Sequence, residues 1–251
     1  MEKRLKLAAV IMLMVSLGSC VSNKEIVYLQ DAEGINAIEA IVKVEPKIQQ
    51  GDILSINISA LDAEAALPFN LFEAGNTTSV SKPITYLVNS DGEINFPVLG
   101  KLKVEGFTNK EITSHLTEAL AVYIKNPIVN IRLTNFKVTV LGEVKSPGTY
   151  PVPNERISIL EAIGLAGDLT IQGKRKNVML VREQNGKRTF VEIDLTSREI
   201  LNSPYFYLAQ NDVLVVEPNK TKINSSAVGP NIGVIFASIS TLISIIVLIT
   251  R

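Results

Sequence analysis

Apolar and polar residues alternate along several short segments of this chain, which is the pattern of β-strands with one face exposed to water. In the segment 53–59, Leu54, Ile56 and Ile58 alternate with polar residues. A second alternating segment covers residues 129–134. Both segments are therefore predicted to be strands.

Two dipeptides, Asp91-Gly92 and Asn185-Gly186, each separate a pair of segments with strand-like composition. Glycine at this position supplies the positive φ that a tight hairpin turn needs. We therefore predict one hairpin across 86–96 and another across 177–193. Pro147-Gly148 marks a further turn between two extended segments.

Two helix starts are visible as capping boxes, in which a Ser or Thr precedes a Glu by three residues. Thr108 and Glu111 open a segment with apolar residues at helical spacing, and Asn126-Pro127 ends it. Ser158 and Glu161 open a shorter helix that Gly167 can close. Helices interspersed with antiparallel strands predict an α+β fold.

The N-terminus has the features of a lipoprotein signal peptide. A basic start and the apolar segment 7–17 precede Leu17-Gly18-Ser19-Cys20, which is a lipobox. Cys20 is the one cysteine of the chain, so a disulfide within it is excluded. We predict that Cys20 is the lipidated residue, since attachment of diacylglycerol through a thioether requires a thiol.

The C-terminus carries a second membrane signal, because no residue from Ile232 to Thr250 is charged. Nineteen residues at 1.5 Å each span about 28 Å, so we predict a membrane-spanning helix. Small residues at near-regular spacing predict close helix packing or a pore lining. These residues are Gly229, Gly233, Ala237, Ser240, Thr241 and Ser244. The alternative is a plain anchor in which the small residues are incidental.

We divide the chain into a signal peptide (1–19), an N-terminal tether (20–45), two α+β units (46–136 and 137–220), and a linker with the C-terminal helix (221–251). Asp52 and Asp212 lie in similar short segments of the two units, Gln-Gly-Asp and Gln-Asn-Asp. We interpret both as turn acids and not as a catalytic pair.

Composition excludes several classes of function. The 25 basic and 25 acidic residues balance, so a nucleic-acid partner is not indicated. No phosphate-binding glycine loop, nucleophile elbow or His/Cys cluster is present, so we predict no enzyme activity, metal or cofactor. We place His115, the one histidine, at the surface or a boundary, and interpret the basic residues 174–176 as a solvated loop, with contact to an anionic polymer as the alternative.

Taken together, the lipobox, the segments 48–56 and 88–99, and the segment 140–150 resemble the bacterial outer-membrane polysaccharide export lipoproteins. The most specific part, Gly142 to Tyr150 followed by 158–167, is similar to the family's soluble-ligand-binding β-grasp domain. This resemblance implies an export domain, a β-grasp-like domain and a ring-forming oligomer, often an octamer. One β-grasp unit precedes the terminal helix, so a shorter periplasmic ring stack is expected than in longer members.

The resemblance further implies that the protein passes capsular or exopolysaccharide outward from the periplasm. Its expected partners are the polysaccharide, outer-membrane lipid and an inner-membrane co-polymerase, frequently a tyrosine autokinase. The expected location is the outer membrane, with a lipid anchor and the body in the periplasm. Alternatives are a non-transporting envelope adaptor or glycan-binding lipoprotein, and a periplasmic glycan hydrolase with a pair of carboxylates in a groove.

Overall fold

The computed structural model describes residues 25–30, 45–73, 82–184, 186–228 and 232–249. The predictions for the signal peptide, for Cys20 and for Gly229 concern residues outside these ranges. Within them, helices and antiparallel strands alternate along the chain, which confirms the predicted mixture of α and β elements.

The first unit contains two sheets and one long helix. Its elements are β1 (Ile53–Ser59), α1 (Ala63–Ala66), β2 (Thr85–Leu87), β3 (Glu93–Phe96), β4 (Gly100–Lys103), α2 (Asn109–Leu120) and β5 (Ile128–Leu133). The order β2-β1-β5 forms an antiparallel sheet, and β3 pairs with β4. The inward residues of β1 and one face of α2 bury a common apolar core, as their periodicities predict.

The hairpin predicted across 86–96 is wrong in its pairing. The polar turn exists, since Asn89 Oδ1 accepts the N–H groups of Asp91 and Glu93, both at 2.9 Å. However, β2 pairs with β1 and β3 pairs with β4. The reason is that the backbone groups of Val88 are bonded to Gly51 and Asp52, at the edge of β1.

The second unit is built on one five-stranded sheet. Its elements are β6 (Lys137–Gly142), β7 (Gly148–Pro151), α3 (Ile159–Leu165), β8 (Gly173–Gln184), β9 (Lys187–Ile193) and β10 (Val213–Pro218). The strand order is β7-β6-β10-β8-β9, in which β6 and β10 are parallel. Buried residues of α3 pack in the core of this unit. The hairpin predicted across 177–193 is confirmed as β8 and β9.

Both predicted capping boxes are present. Thr108 and Glu111 cap α2, while Ser158 and Glu161 cap α3. The pKa of both glutamates is lowered, because hydrogen bonds from the cap residue stabilise the carboxylate form. The bond from the backbone N–H of Thr108 or Ser158 has the larger effect, and the bond from its hydroxyl has the smaller one.

Part of the predicted tether is bound to the second unit. The N–H groups of Leu29 and Gln30 donate to the carbonyls of Leu195 (3.2 Å) and Thr196 (2.8 Å). The hydroxyl of Tyr28 donates to Asp168 Oδ1 at 2.5 Å. Residues 25–30 therefore form a strap docked on the second unit, the docked strap.

Two helices, α4 (Lys220–Val228) and α5 (Ile232–Ile249), follow β10. Among the residues that the structure describes, no helix is long and apolar enough to cross a membrane. The predicted helix is therefore present as α5, but the prediction that it spans a membrane is not supported.

Candidate functional site

The two aspartates singled out in the sequence occupy equivalent turns. Asp52 Oδ2 accepts the N–H of Gln49 (2.9 Å), and Asp212 Oδ2 accepts the N–H of Ala209 (2.7 Å). In both turns the aspartate N–H returns a bond to the carbonyl of that same residue at 3.2 Å. The sequence similarity thus reflects one turn geometry that leads into a strand, and each aspartate has the role of a turn acid.

The electrostatic surroundings of the two aspartates differ sharply, although each is 1% exposed. Asp212 forms an ion pair with Arg182, whose Nη2 lies 2.7 Å from Oδ2 and whose Nε lies 3.0 Å from Oδ1. For Asp52, Oδ1 has no hydrogen-bond partner among the described residues. The same turn therefore holds a paired carboxylate in the second unit and a half-satisfied one in the first.

Burial raises the pKa of both carboxyl groups, since the ionised form loses its hydration. For Asp212, the bonds and charge of Arg182 oppose this effect. For Asp52, burial raises the pKa to about 6, the Gln49 N–H opposes it, and the nearby Glu155 carboxylate adds to the rise.

Asn135 ties the two units together from the short connection between β5 and β6. Its Oδ1 accepts the N–H of Ile53 (2.9 Å), and its Nδ2 donates to the carbonyl of Gly51 (3.0 Å). Its own carbonyl accepts a bond from Gln210 Nε2 at 2.7 Å. The connection is therefore held by the turn of each unit at once.

Glu155 makes the second tie, from the loop between β7 and α3. Its Oε1 accepts the N–H of Leu133 (2.7 Å), and its Oε2 accepts Nδ2 of Asn109 (3.3 Å), the first residue of α2. Glu155, Asn109 and Asp52 line a small cavity at this junction. The sequence contained no signal for Glu155, apart from the turn-forming Pro-Asn that precedes it.

The segment that carries the family resemblance builds the edge of the five-stranded sheet. Gly142 ends β6 with φ of +91°, and a Cβ placed there would lie 2.0 Å from the carbonyl oxygen of Val216 on β10. The hydroxyl of Tyr150 donates to the carbonyl of Ser146 within the turn. These residues thus have a structural role that requires glycine at position 142.

Other candidates in the sequence show no catalytic arrangement within the described ranges. His115 is exposed and its ring contacts that of Phe107 edge-on at 4.7 Å, as expected for a surface position. No cluster of three or more His, Cys, Asp or Glu side chains that could hold a metal occurs there.

The prediction of a solvated loop at 174–176 is wrong. These residues lie in β8, and Arg175 is 5% exposed, with Nη1 donating to the carbonyls of Thr170 (3.3 Å) and Gly173 (3.2 Å). Its guanidinium carbon also lies 5.3 Å from the ring centre of Tyr28 in the docked strap. Arg175 therefore donates hydrogen bonds inside the second unit and contacts the docked strap.

The five small residues of the predicted stripe that are described all lie in α5 and are exposed. They are Gly233, Ala237, Ser240, Thr241 and Ser244. The hydroxyls among them donate to carbonyls of the helix itself, for example Thr241 Oγ1 to Ala237 at 2.8 Å. A Cβ at Gly233 would meet nothing within 4 Å.

Comparison with known proteins agrees with this architecture. Residues 42–134 match the family model described as polysaccharide biosynthesis/export protein, and residues 137–192 match the SLBB domain. The chain is 27% identical over 199 residues to the EPS I polysaccharide export outer membrane protein EpsA of Ralstonia solanacearum. This alignment covers 75% of this chain and 52% of the relative.

The EpsA protein of Ralstonia nicotianae is 28% identical over 188 residues, which cover 70% of this chain and 49% of that protein. The chain thus spans about half the length of the curated relatives it matches. The two matched regions follow one another in the chain. The first contains the core of the first unit, and the second ends at residue 192, before core residues of the second unit such as Leu208, Leu214 and Val216. Over these two regions the chain is similar to polysaccharide export proteins, with a match to the biosynthesis/export model followed by a match to the SLBB domain.

Proposed function

We propose that this protein is an outer-membrane lipoprotein component of a polysaccharide export channel that passes capsular or exopolysaccharide from the periplasm to the cell surface. The observation that carries this proposal is the order of an export domain and an SLBB domain, joined by the short connection at Asn135. Two proteins named as EPS I polysaccharide export outer membrane proteins are 27% and 28% identical to this chain over 199 and 188 residues, which supports the proposal. We propose no bond-breaking chemistry, because the family is one of export proteins.

Deletion of the gene tests this function directly. We expect surface polysaccharide to fall and polymer to accumulate in the periplasm, with both restored by the wild-type gene. Unchanged surface polymer would instead favour the adaptor or glycan-binding alternative. Release of reducing ends from the polymer by the purified protein would contradict the non-enzymatic proposal.

Lipidation of Cys20 is the anchoring step of this proposal. The first contact of the docked strap with the SLBB domain is made by Tyr28, eight residues after Cys20, so a lipid there would hold this contact within about 29 Å of the bilayer surface. Outer-membrane lipid is therefore expected close to this domain. The resemblance to the export family adds an inner-membrane co-polymerase, such as a tyrosine autokinase, as a proposed partner on the periplasmic side.

Replacement of Cys20 by serine is expected to abolish incorporation of labelled palmitate, because serine lacks the thiol. Metabolic labelling followed by immunoprecipitation measures this. Ser19→Ala, which keeps a small residue in the lipobox, is the matched control and should label normally. Palmitate incorporation at the wild-type level in Cys20→Ser would contradict the assignment.

We propose that α5 assembles copies of the protein into a ring. Among the residues of this helix whose exposure the structure describes, seven large apolar ones are exposed in the single chain. They are Val234, Phe236, Ile239, Leu242, Ile243, Ile245 and Leu248. A surface of this kind is typical of an element that other copies or lipid cover, and the small residues beside it permit close helix approach.

Gly233→Leu and Ala237→Leu are expected to disrupt the oligomer, because a bulky side chain would push neighbouring helices apart. Neither change should disturb the single chain, since position 233 has open space and Ala237 is exposed. Size-exclusion chromatography with light scattering in mild detergent measures the subunit number. Ile239→Leu is the control and should assemble normally, whereas unchanged oligomers in both small-residue variants would reduce α5 to a passive anchor.

A further inference from the structure

Two carboxyl groups from different domains line one small cavity at the domain junction. Asp52 belongs to the export domain, is 1% exposed, and has one oxygen, Oδ1, without a hydrogen-bond partner among the described residues. Glu155 belongs to the SLBB domain and lies across the junction, where it accepts bonds from Leu133 and Asn109. The charge on each carboxyl group therefore affects whether the other can keep its position at the junction.

Few other charges can balance this pair. The lining of the cavity includes one further titratable side chain, that of Lys47, from the segment before β1. Lys47 is exposed. Like charges that share a poorly solvated site disfavour double ionisation.

We propose that a proton on Asp52 latches the export domain to the SLBB domain. With Asp52 neutral, its unpaired oxygen carries no charge, and Glu155 can keep its bonds to Leu133 and Asn109. With Asp52 ionised, repulsion between the two carboxylates loosens the Glu155 tie. This inference does not depend on which polymer, or whether any polymer, is exported.

Asn135 gives the latch a pivot. Its three bonds, to Gly51, Ile53 and Gln210, involve amide and backbone groups alone, so they do not change with pH. Ionisation of Asp52 therefore loosens one tie and leaves the other intact. The expected result is a limited opening between the domains, not their separation.

The pH range of this latch follows from the environment of Asp52. Burial, with a smaller contribution from Glu155, raises its pKa to about 6. The latch is accordingly closed below this pH and loosened above it. Such a midpoint lies far above the range in which an ordinary aspartate titrates.

Hydrogen exchange at the Leu133 amide tests the latch, because that N–H is bonded to Glu155 Oε1. The full-length protein in mild detergent is exchanged between pH 5 and pH 8, with rates corrected for the intrinsic effect of pH. We expect protection of Leu133 to fall several-fold across a midpoint near pH 6. The Thr139 amide, bonded to the carbonyl of Asp212 in the other turn, is the internal control and should keep constant protection.

Two variants separate the latch from general stability. Asp52→Asn should give high, pH-independent protection at Leu133, because the amide cannot ionise. Glu155→Gln keeps an acceptor for Leu133 but removes the repelling charge, so it should weaken the pH dependence. Constant Leu133 protection in the wild type would overturn the proposal, as would a response to pH that persists in Asp52→Asn. If Asp52→Asn does not fold, an undiminished response to pH in Glu155→Gln would overturn it.

Discussion

Replacement of Gly142 by alanine is expected to destabilise the SLBB domain by about 3 to 5 kcal/mol. The added Cβ would lie 2.0 Å from the Val216 carbonyl oxygen, which is backbone and cannot turn aside as a side chain could. That oxygen also accepts the N–H of Glu143, so moving it disturbs the pairing of β6 with β10. The φ of +91° adds strain for any residue with a Cβ.

Thermal and urea unfolding followed by circular dichroism measure this loss. Gly164→Ala is a matched control, because Gly164 lies exposed in α3 and a Cβ there would meet nothing within 4 Å. Alanine in a helix is favoured over glycine by up to about 1 kcal/mol, so this variant should be slightly more stable. Equal unfolding midpoints for the two variants would show that the contact with Val216 does not constrain the fold.

The two equivalent aspartates are expected to respond oppositely to asparagine. Asp212→Asn should lose about 3 kcal/mol or more, because it leaves Arg182, whose side chain is 12% exposed, without its counter-charge. Asp52→Asn should gain about 1 to 2 kcal/mol at pH 7.5, because no cation is left unpaired and the buried ionised oxygen is removed. Chemical denaturation of both variants at that pH measures the two changes.

The stability of the wild-type protein is expected to depend on pH through Asp52. Its pKa is about 6 in the folded protein against 3.8 for the ordinary group, so between these values the folded state binds more protons. Wild-type stability should therefore gain a contribution of up to about 3 kcal/mol as pH falls from 7 towards 4. This contribution should vanish in Asp52→Asn, and a wild-type pH profile in that variant would contradict the assignment.

Local signals in the sequence were sufficient for much of the fold. The capping boxes at Thr108 and Ser158 involve residues three positions apart, so neighbouring side chains decide them. In β1, apolar residues face the core and polar residues face outward, so the two-residue period of the strand can be seen directly in the sequence. The contiguous segment 142–150, the most specific part of the family resemblance, is also a local signal, and Gly142 within it meets a backbone requirement of the fold.

Tertiary structure decided the features that depend on residues far apart in the chain. Two turns with the same local bonds acquired different chemistry, because Arg182 lies 30 residues from Asp212 while Glu155 lies near Asp52 from another domain. In the same way, pairing with β1 prevented the predicted β2-β3 hairpin, and the docked strap covers Arg175. Local sequence thus determined which turns and helices form, whereas burial and pairing of charged groups, whose energies depend on the surrounding dielectric and on partners from other elements, arose only when the chain was folded.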